Sequence, residues 1–460
     1  GSGTAVTLAC GATQSGFGRS GSVNWQTSII TAATFSAVNG EGYFVDTSSN
    51  AVTANLPAGS AGAIVSFADY ARNFATNPLT ISPNGSEKIG GVAEDALINI
   101  NGQAATFVYV DSTKGWINVQ NAEDTEIGTP PFIAATGGTV TTVCTNFKVH
   151  TFTGPGTFCV SNAGTAAGSN TVEYLVVAGG GAGGADLGGG GGAGGFRTVF
   201  PSPATGGLPV TATSYPITIG AGGAPQSAPN PTGGGRGNSG SNTVFAGSST
   251  ITSAGGGGGG GAPDTQGEGA GANGGSGGGT AGYTPAPTAG GLGNQPPTPV
   301  SQGNNGGAGG GGGPRYPGAG GGGSAAVGGT PPNSTQPGSA GGAGTQLNID
   351  GNNYYWAGGG GGSAYTAGTG GPGGIGGGGG AGTDSGPGNC AGAGGGSAIN
   401  SGTAGTVGPT SGGPVVGGAG GANSGGGAGA GGHGGTSGVQ PFNKGGTGGS
   451  GIVIIRYKFQ

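Results

Sequence analysis

The sequence has little with which to do chemistry. Its 460 residues include no methionine, 2 histidines, 4 cysteines and 3 tryptophans, and only 6% are Asp, Glu, Lys or Arg. So little charge excludes disorder driven by charge repulsion, which needs a high net charge. The balance is mildly acidic, 11 Lys and Arg against 16 Asp and Glu. No basic patch is present, which excludes a nucleic-acid partner. No apolar run approaches the ~18–20 residues that span a bilayer, so no membrane insertion is expected. "GIVIIRY" near the end has the length of a strand. No signal peptide is visible. The chain opens on GSGTAV without an initiator Met, and is read as part of a longer precursor.

The scarce reactive residues form no catalytic motif. His150 lies in a strand pattern and His433 in GGHGG, neither beside a readable Ser, Asp or Cys partner. GGSGG at 274–278 fits G-x-S-x-G in letters only, because no strand precedes it and no helix follows. Every G-x-G-x-x-G here likewise lacks its strand–helix context. Cys10, Cys144, Cys159 and Cys390 have no zinc spacing; no metal and no cofactor is expected. Cys144 and Cys159 are near enough in sequence to bridge across a hairpin, which would contribute about 3 kcal/mol; four unpaired small apolar side chains is the other reading. The acids Glu41, Asp46, Asp69, Glu94, Asp95, Glu123, Asp124 and Glu126 all fall early in the chain. They carry the one enzymatic reading, a polysaccharide depolymerase, but the long β-helical repeat such enzymes use is not visible. The sequons at Asn84 and Asn333 are read as chance matches.

Glycine is what the sequence does have, 129 residues of it, distributed unevenly. The first 177 residues hold 22 glycines and the remaining 283 hold 107. The first region alternates apolar and polar residues between Gly, Asn, Asp and Pro, the pattern of strands. Asn101-Gly102 signals a hairpin, Ser112–Gly115 a second, and Gly154-Pro155-Gly156 a third. No stretch has helical periodicity beyond a short turn near Phe67 to Phe74. Trp25, Tyr43, Phe44, Tyr109 and Trp116 are read as core or subunit interface.

In the second region glycine does not recur at every third residue, so collagen is excluded. A flexible linker fits poorly, because strands stand at both ends and residues such as Phe196, Ile217, Phe245, Ile349 and Val415 interrupt the glycine. A glycine strand in the polyproline II conformation has no internal hydrogen bonds, but many such strands side by side can bond one another. Ordering each residue costs about 1–2 kcal/mol and glycine most of all, so the strands must be numerous and mutually bonded.

"KVHTFTGPGTFCVSNAGTAAGSNTVEYLVVAGGGAGG", with "GGGGAGGFRTV", "YPITIGAGG" and the closing "GGTGGSGIVIIRYKF", resembles a glycine-rich domain common in phage tail-fibre and adhesin proteins, including tip adhesins of T-even-type phages. "VNWQTSIITAATFSAVNGEGYFVDTSSN" through "VYVDSTKGWINVQ" resembles a β module of tail-fibre proteins from marine and freshwater phages. The resemblance implies a sandwich of packed glycine helices whose loops contact a bacterial receptor, in a trimeric fibre of the virion. The expected fold is an all-β N-terminal region followed by a polyglycine II sandwich with almost no α-helix. Its expected parts are a connecting segment (1–24), a β fibre module (25–125), a linker (126–146) and a glycine-rich domain (147–460) bounded by strands at 172–178 and 451–459.

On a rigid frame, specificity falls to the loops. The non-glycine islands offer Tyr354, Tyr355 and Trp356, Arg315 and Tyr316, Tyr283, and Phe442 with Lys444. Tyr, Trp and Arg anchor interfaces most often, and flat aromatic faces suit sugar rings; Tyr354–Trp356 also reads as a small space-filling strand. The expected function is a non-enzymatic adhesin, the distal part of a tail fibre, that binds a bacterial glycan or outer-membrane protein. The alternative is a structural subunit of an extracellular filament built through the same two regions.

Overall fold

The structure is a computed structural model. It describes residues 23–122 and 132–460, apart from 167, 202–206, 227–234, 263–267, 285–287, 310–312, 333–336, 366–367, 385, 387, 410–412 and 434–442. Among the described residues every regular element is a strand and none is a helix. Gly1–Gly128 and Thr129–Gln460 form two compact units.

In the first unit the chain alternates between two sheets. One holds, in spatial order, β1 (Asn24–Ile30), β3 (Glu41–Val45), β5 (Ile64–Asp69), β8 (Ala104–Asp111) and β9 (Gly115–Ala122). The other holds β2 (Thr34–Ser36), β4 (Val52–Asn55), β6 (Leu79–Ser82) and β7 (Ala96–Ile98). β1, β3 and β5 run parallel, as do β2, β4 and β6. The chain therefore winds as a short two-sided coil until β7, β8 and β9 close it with antiparallel pairs. The winding is hidden in the sequence because its turns differ in length: Asn24 pairs with Glu41, 17 residues on, but Gly42 pairs with Ser66, 24 residues on.

Two turn signals met different fates. Ser112–Gly115 does close a hairpin, β8 to β9, with Asp111 Oδ1 accepting from the N–H groups of Thr113 and Lys114, both at 2.8 Å. Asn101-Gly102 does not. β7 pairs with β6, β8 pairs with β5 and β9, and the Asn-Gly step carries the chain from one sheet to the other. Asp69 anchors this crossover, accepting from Asn73 N, Phe74 N and Gly102 N at 3.2, 3.1 and 3.0 Å.

Between the sheets lie Tyr43, Val45, Phe67, Leu79, Ile81, Phe107 and Trp116. Tyr43 and Phe67 are register partners in adjacent parallel strands and stack at 6.2 Å. Cross-strand aromatic pairs of this kind contribute about 0.2–1 kcal/mol each. Tyr109 packs partly buried against this core, while Trp25 is 41% exposed and stacks on Phe44 at 4.9 Å.

The second unit begins as a sandwich. One sheet has the order β10 (Ala134–Thr136), β13 (Gly156–Asn162), β17 (Ser214–Thr218), β18 (Thr243–Ala246), β19 (Thr250–Ser253). The other has β11 (Thr139–Val143), β12 (Phe147–Phe152), β22 (Ile452–Lys458), β14 (Thr171–Val177) and β15 (Phe196–Thr198), with β16 (Leu208–Pro209) also on β14. β10 and β11 occupy residues the sequence assigned to a linker. The two bounding strands, β14 and β22, pair antiparallel, Leu175 opposite Ile454. Val176, Val453 and Ile455 face the partner sheet, while Leu175, Val177, Ile452 and Ile454 face the other way into a second core. Both faces of these strands are covered, which is why they read as unbroken apolar runs.

Gly154-Pro155-Gly156 is also a crossover rather than a hairpin, since β12 pairs with β11 and β22 while β13 pairs with β10 and β17. Of the two readings of Cys144 and Cys159, the unpaired one matches the structure. Cys144 sits in the β11–β12 turn, Cys159 lies in the opposite sheet, and Cys144, Cys159 and Cys390 are free thiols.

The glycine runs extend from the sandwich and bond one another through their backbones. Along residues 178–185 the donors rotate through three neighbours. Ala178, Gly181 and Gly184 donate to Gly195, Gly192 and Gly189; Gly179 and Ala182 to Ser241 and Asn238; Gly180 and Gly183 to Gly449 and Gly446. A period of three residues is the pitch of the polyproline II helix. The run 188–195 is enclosed. It donates to 254–260, 319–322 and 425–431 and accepts from 178–184, 276–279 and 360–363. Six neighbours can come this close only because side chains are missing: a Cβ on Gly191 would lie 2.2 Å from the Gly181 carbonyl oxygen.

Candidate functional site

Residues 178–185 leave β14 and 188–195 return antiparallel to β15, so the turn at Asp186 and Leu187 lies at the end of the lattice farthest from the sheets. Other runs end at the same place. Gly282 N donates to Leu187 O at 2.9 Å and delivers Tyr283. Tyr365 N donates to Arg315 O at 2.8 Å, joining the turn that carries Tyr316 to the end of the run 357–364. Gly431 N donates to Gly184 O at 2.9 Å and leads to His433.

These residues line a cavity of about 410 Å³, walled by Asp186, Leu187, Tyr283, Tyr316, Tyr365 and His433. The rings form a row: Tyr283 to Tyr316 at 5.1 Å, Tyr316 to Tyr365 at 6.1 Å, Tyr365 to His433 at 5.0 Å. Leu187 packs beneath Tyr316 and Tyr365 with Ala262 and Ala281. Asp186 and Leu187 hold φ of 43° and 50°, and Tyr316 holds 41°. Non-glycine residues in this left-handed region are uncommon and concentrate where a structure over-determines them.

His433 Nδ1 lies 2.8 Å from Asp186 Oδ1. That hydrogen bond holds the imidazole above its usual range against the opposing effect of burial, and the charges of Asp186 and Asp384 add to the rise. The Asp186 carboxylate thus stabilises the protonated imidazole, in which Nδ1 donates to Oδ1. Among the described residues no group of three or more His, Cys, Asp or Glu could hold a metal ion, and no helix is long and apolar enough to cross a membrane.

Of the residues singled out in the sequence, Tyr283, Arg315 and Tyr316 come together here. Tyr365, His433, Asp186 and Leu187 join them unannounced. Phe442 lies outside the described residues. Tyr354, Tyr355 and Trp356 are elsewhere, in a hairpin of β20 (Thr345–Leu347) and β21 (Tyr354–Trp356). Trp356 is fully buried with Val149, Leu175 and Ile454, and its Nε1 donates to Leu347 O at 3.2 Å. Trp356 fills the core beneath the sheet and is not a surface contact; Tyr354 and Tyr355 remain half-buried.

Apart from Asp69, which holds the crossover at Gly102, the described early acids make local bonds or face solvent. Glu41 accepts from the Tyr43 hydroxyl at 2.6 Å, Asp46 from Ser48 N at 2.8 Å, and Glu94 and Asp95 are exposed. Burial, reinforced by Glu41, pushes the Tyr43 hydroxyl up to about 12. Glu123, Asp124 and Glu126 lie outside the described residues.

The model of a glycine-rich domain family matches residues 151–416, more than half of the chain. The chain belongs to this glycine-rich domain family. No curated protein matches it. The matched span takes in β13, β14 and most of the lattice, so the glycine-rich domain is the part that carries the distal cavity's turns at 186, 283, 316 and 365.

Proposed function

We propose that the protein is a non-enzymatic adhesin, the distal part of a phage tail fibre, that holds a bacterial surface receptor at the far end of its glycine-rich domain. The observation that carries this reading is the aromatic row Tyr283–Tyr316–Tyr365–His433, gathered from four separate turns on one end of a rigid backbone lattice. A frame bonded through its main chain leaves the turn residues free to serve recognition, as on other rigid scaffolds. The concave, mostly aromatic lining with an ion pair at one end is the usual composition of a binding site.

One observation favours the alternative of a filament subunit. Among the described residues β1 is an edge strand, with Trp25 and Ile29 each about two-fifths exposed, at 41% and 40%, and an apolar edge invites pairing with another chain.

Imaging of labelled full-length chain on a panel of bacteria tests both readings. The adhesin should decorate some strains and not others, and Tyr283→Ala with Tyr316→Ala should abolish decoration. Fibres of regular repeat without cell binding, lost in Trp25→Ser with Ile29→Ser, would replace the adhesin reading with the filament.

A further inference from the structure

The distal cavity has features that narrow its ligand. Three of the four core tyrosines have bonded hydroxyls: Tyr43 to Glu41 at 2.6 Å, Tyr215 to Thr211 at 3.1 Å, Tyr457 to His150 at 3.1 Å; Tyr174 is the exception. The hydroxyls of Tyr283, Tyr316 and Tyr365 bond no described residue. Buried tyrosines usually find a partner for the O–H, and tyrosines with one apolar and one wet end are typical of interfaces. Here three such groups border one cavity, each able to donate and accept.

The charges narrow the ligand further. Asp186 and the more remote Asp384 both act electrostatically on His433, so this end of the cavity is acidic on balance whether or not the imidazole carries a proton. That balance disfavours phosphate or carboxylate on a ligand. His433 occupies Asp186 Oδ1 at 2.8 Å. What remains free is Asp186 Oδ2 and the tyrosyl hydroxyls. A neutral molecule that has an apolar face and several hydroxyls satisfies all of them. A cavity of about 410 Å³ falls within the usual small-ligand range of about 300–1,000 Å³.

We propose that this cavity is a saccharide site, in which a neutral pyranose unit of a surface polysaccharide packs its C–H face on the tyrosine row and bonds its hydroxyls to Asp186 and the tyrosyl O–H groups. The proposal rests on the adhesin reading and supplies its ligand class. It commits to sugar rather than to a protein receptor, because a cavity of about 410 Å³ bordered by three unbonded tyrosyl hydroxyls suits a single ring that carries several hydroxyls.

Two experiments on the full chain test it. In saturation-transfer NMR with the methyl pyranosides of glucose, galactose and mannose, transfer to at least one is expected. Tyr283→Ala, on a half-exposed ring, and Asp186→Asn, which keeps the size and tolerates positive φ, should each weaken it by about tenfold or more. Absence of transfer to all three, or transfer unchanged in both variants, overturns the site. In the second experiment, bacteria are treated with periodate, which cleaves vicinal diols, or with protease, then quenched and washed before the labelled chain is added. Decoration that periodate removes and protease spares supports the saccharide. Decoration that survives periodate and is lost to protease overturns the saccharide while leaving the adhesin standing. A lack of decoration on any strain, with transfer to a pyranoside intact, keeps the sugar site and removes the adhesin.

Discussion

Replacing Gly191 with alanine tests the lattice at the enclosed run 188–195. Gly191 donates to Ala428 O at 2.8 Å and its carbonyl accepts from Gly360 N at 2.9 Å. A methyl at this position would lie 2.2 Å from Gly181 O and 2.7 Å from Ala182 O, more than about 1 Å inside ordinary contact at the nearer atom. Those oxygens belong to backbone that is itself bonded on, Gly181 N to Gly192 O at 2.8 Å and Ala182 N to Asn238 O at 2.9 Å. Relief therefore means parting two runs. About two bonds at roughly 1 kcal/mol each are weakened, and overpacking adds about 1–3 kcal/mol, giving about 3–5 kcal/mol in all. The loss should not follow from adding a methyl as such: Ala193, two positions on, is a native methyl that packs with Val149 and Leu175. Gly396 supplies the control, since a Cβ there meets nothing within 4 Å. Gly396→Ala should be neutral or stabilise by up to about 1 kcal/mol through the unfolded chain. Guanidinium unfolding of the full chain reads both variants. A Gly191→Ala protein within about 0.5 kcal/mol of the parent would refute the packing argument.

Trp356→Ala should cost about 3–5 kcal/mol, the price of emptying a buried tryptophan site, while Tyr283→Ala should stay within about 0.5 kcal/mol; the same titrations separate core from binding surface. The two histidines should give opposite pH dependences. His150 is buried, bonded to Gly137 O at 2.7 Å, and burial lowers its pKa. The unfolded chain then takes up a proton that folded His150 refuses, so stability should fall as pH drops below about 6.5. His433 is raised instead, so its contribution is complete below about 6.5 and should fade as pH rises through the higher folded value. Unfolding midpoints between about pH 5 and pH 9 should lose the alkaline-side decline in His433→Gln and keep it in the parent; an unchanged profile would refute the role of the Asp186 pair.

The sequence yielded what composition and local chemistry control. The glycine boundary, the all-β character and the paired strands at both ends of the glycine-rich domain follow from residue types alone. Pairing partners do not. Asn101-Gly102 and Gly154-Pro155-Gly156 have the chemistry of tight turns, and they do turn the chain, but the strands on either side enter different sheets. Nothing local distinguishes a hairpin from a crossover. Trp356 reads either as a loop aromatic or as part of a small space-filling strand; the structure has the strand, because the glycines that follow begin a run that leaves from beneath a sheet. The distal cavity was half legible. Tyr283 and Tyr316 stood out as aromatics among glycines, but the pairing of His433 with Asp186 joins residues 247 apart. Only the threading of the lattice brings them together.

The three-residue rotation of donors along 178–185 also sets a rule for length change. Inserting one residue inside a glycine run would turn every later N–H by a third of a revolution and aim it at the wrong strand. Inserting three would restore the aim and only lengthen the bundle. At the turns no such counting applies, so their length and content can vary without disturbing the frame. Such a molecule could acquire new tips quickly while its interior tolerates change only in multiples of three.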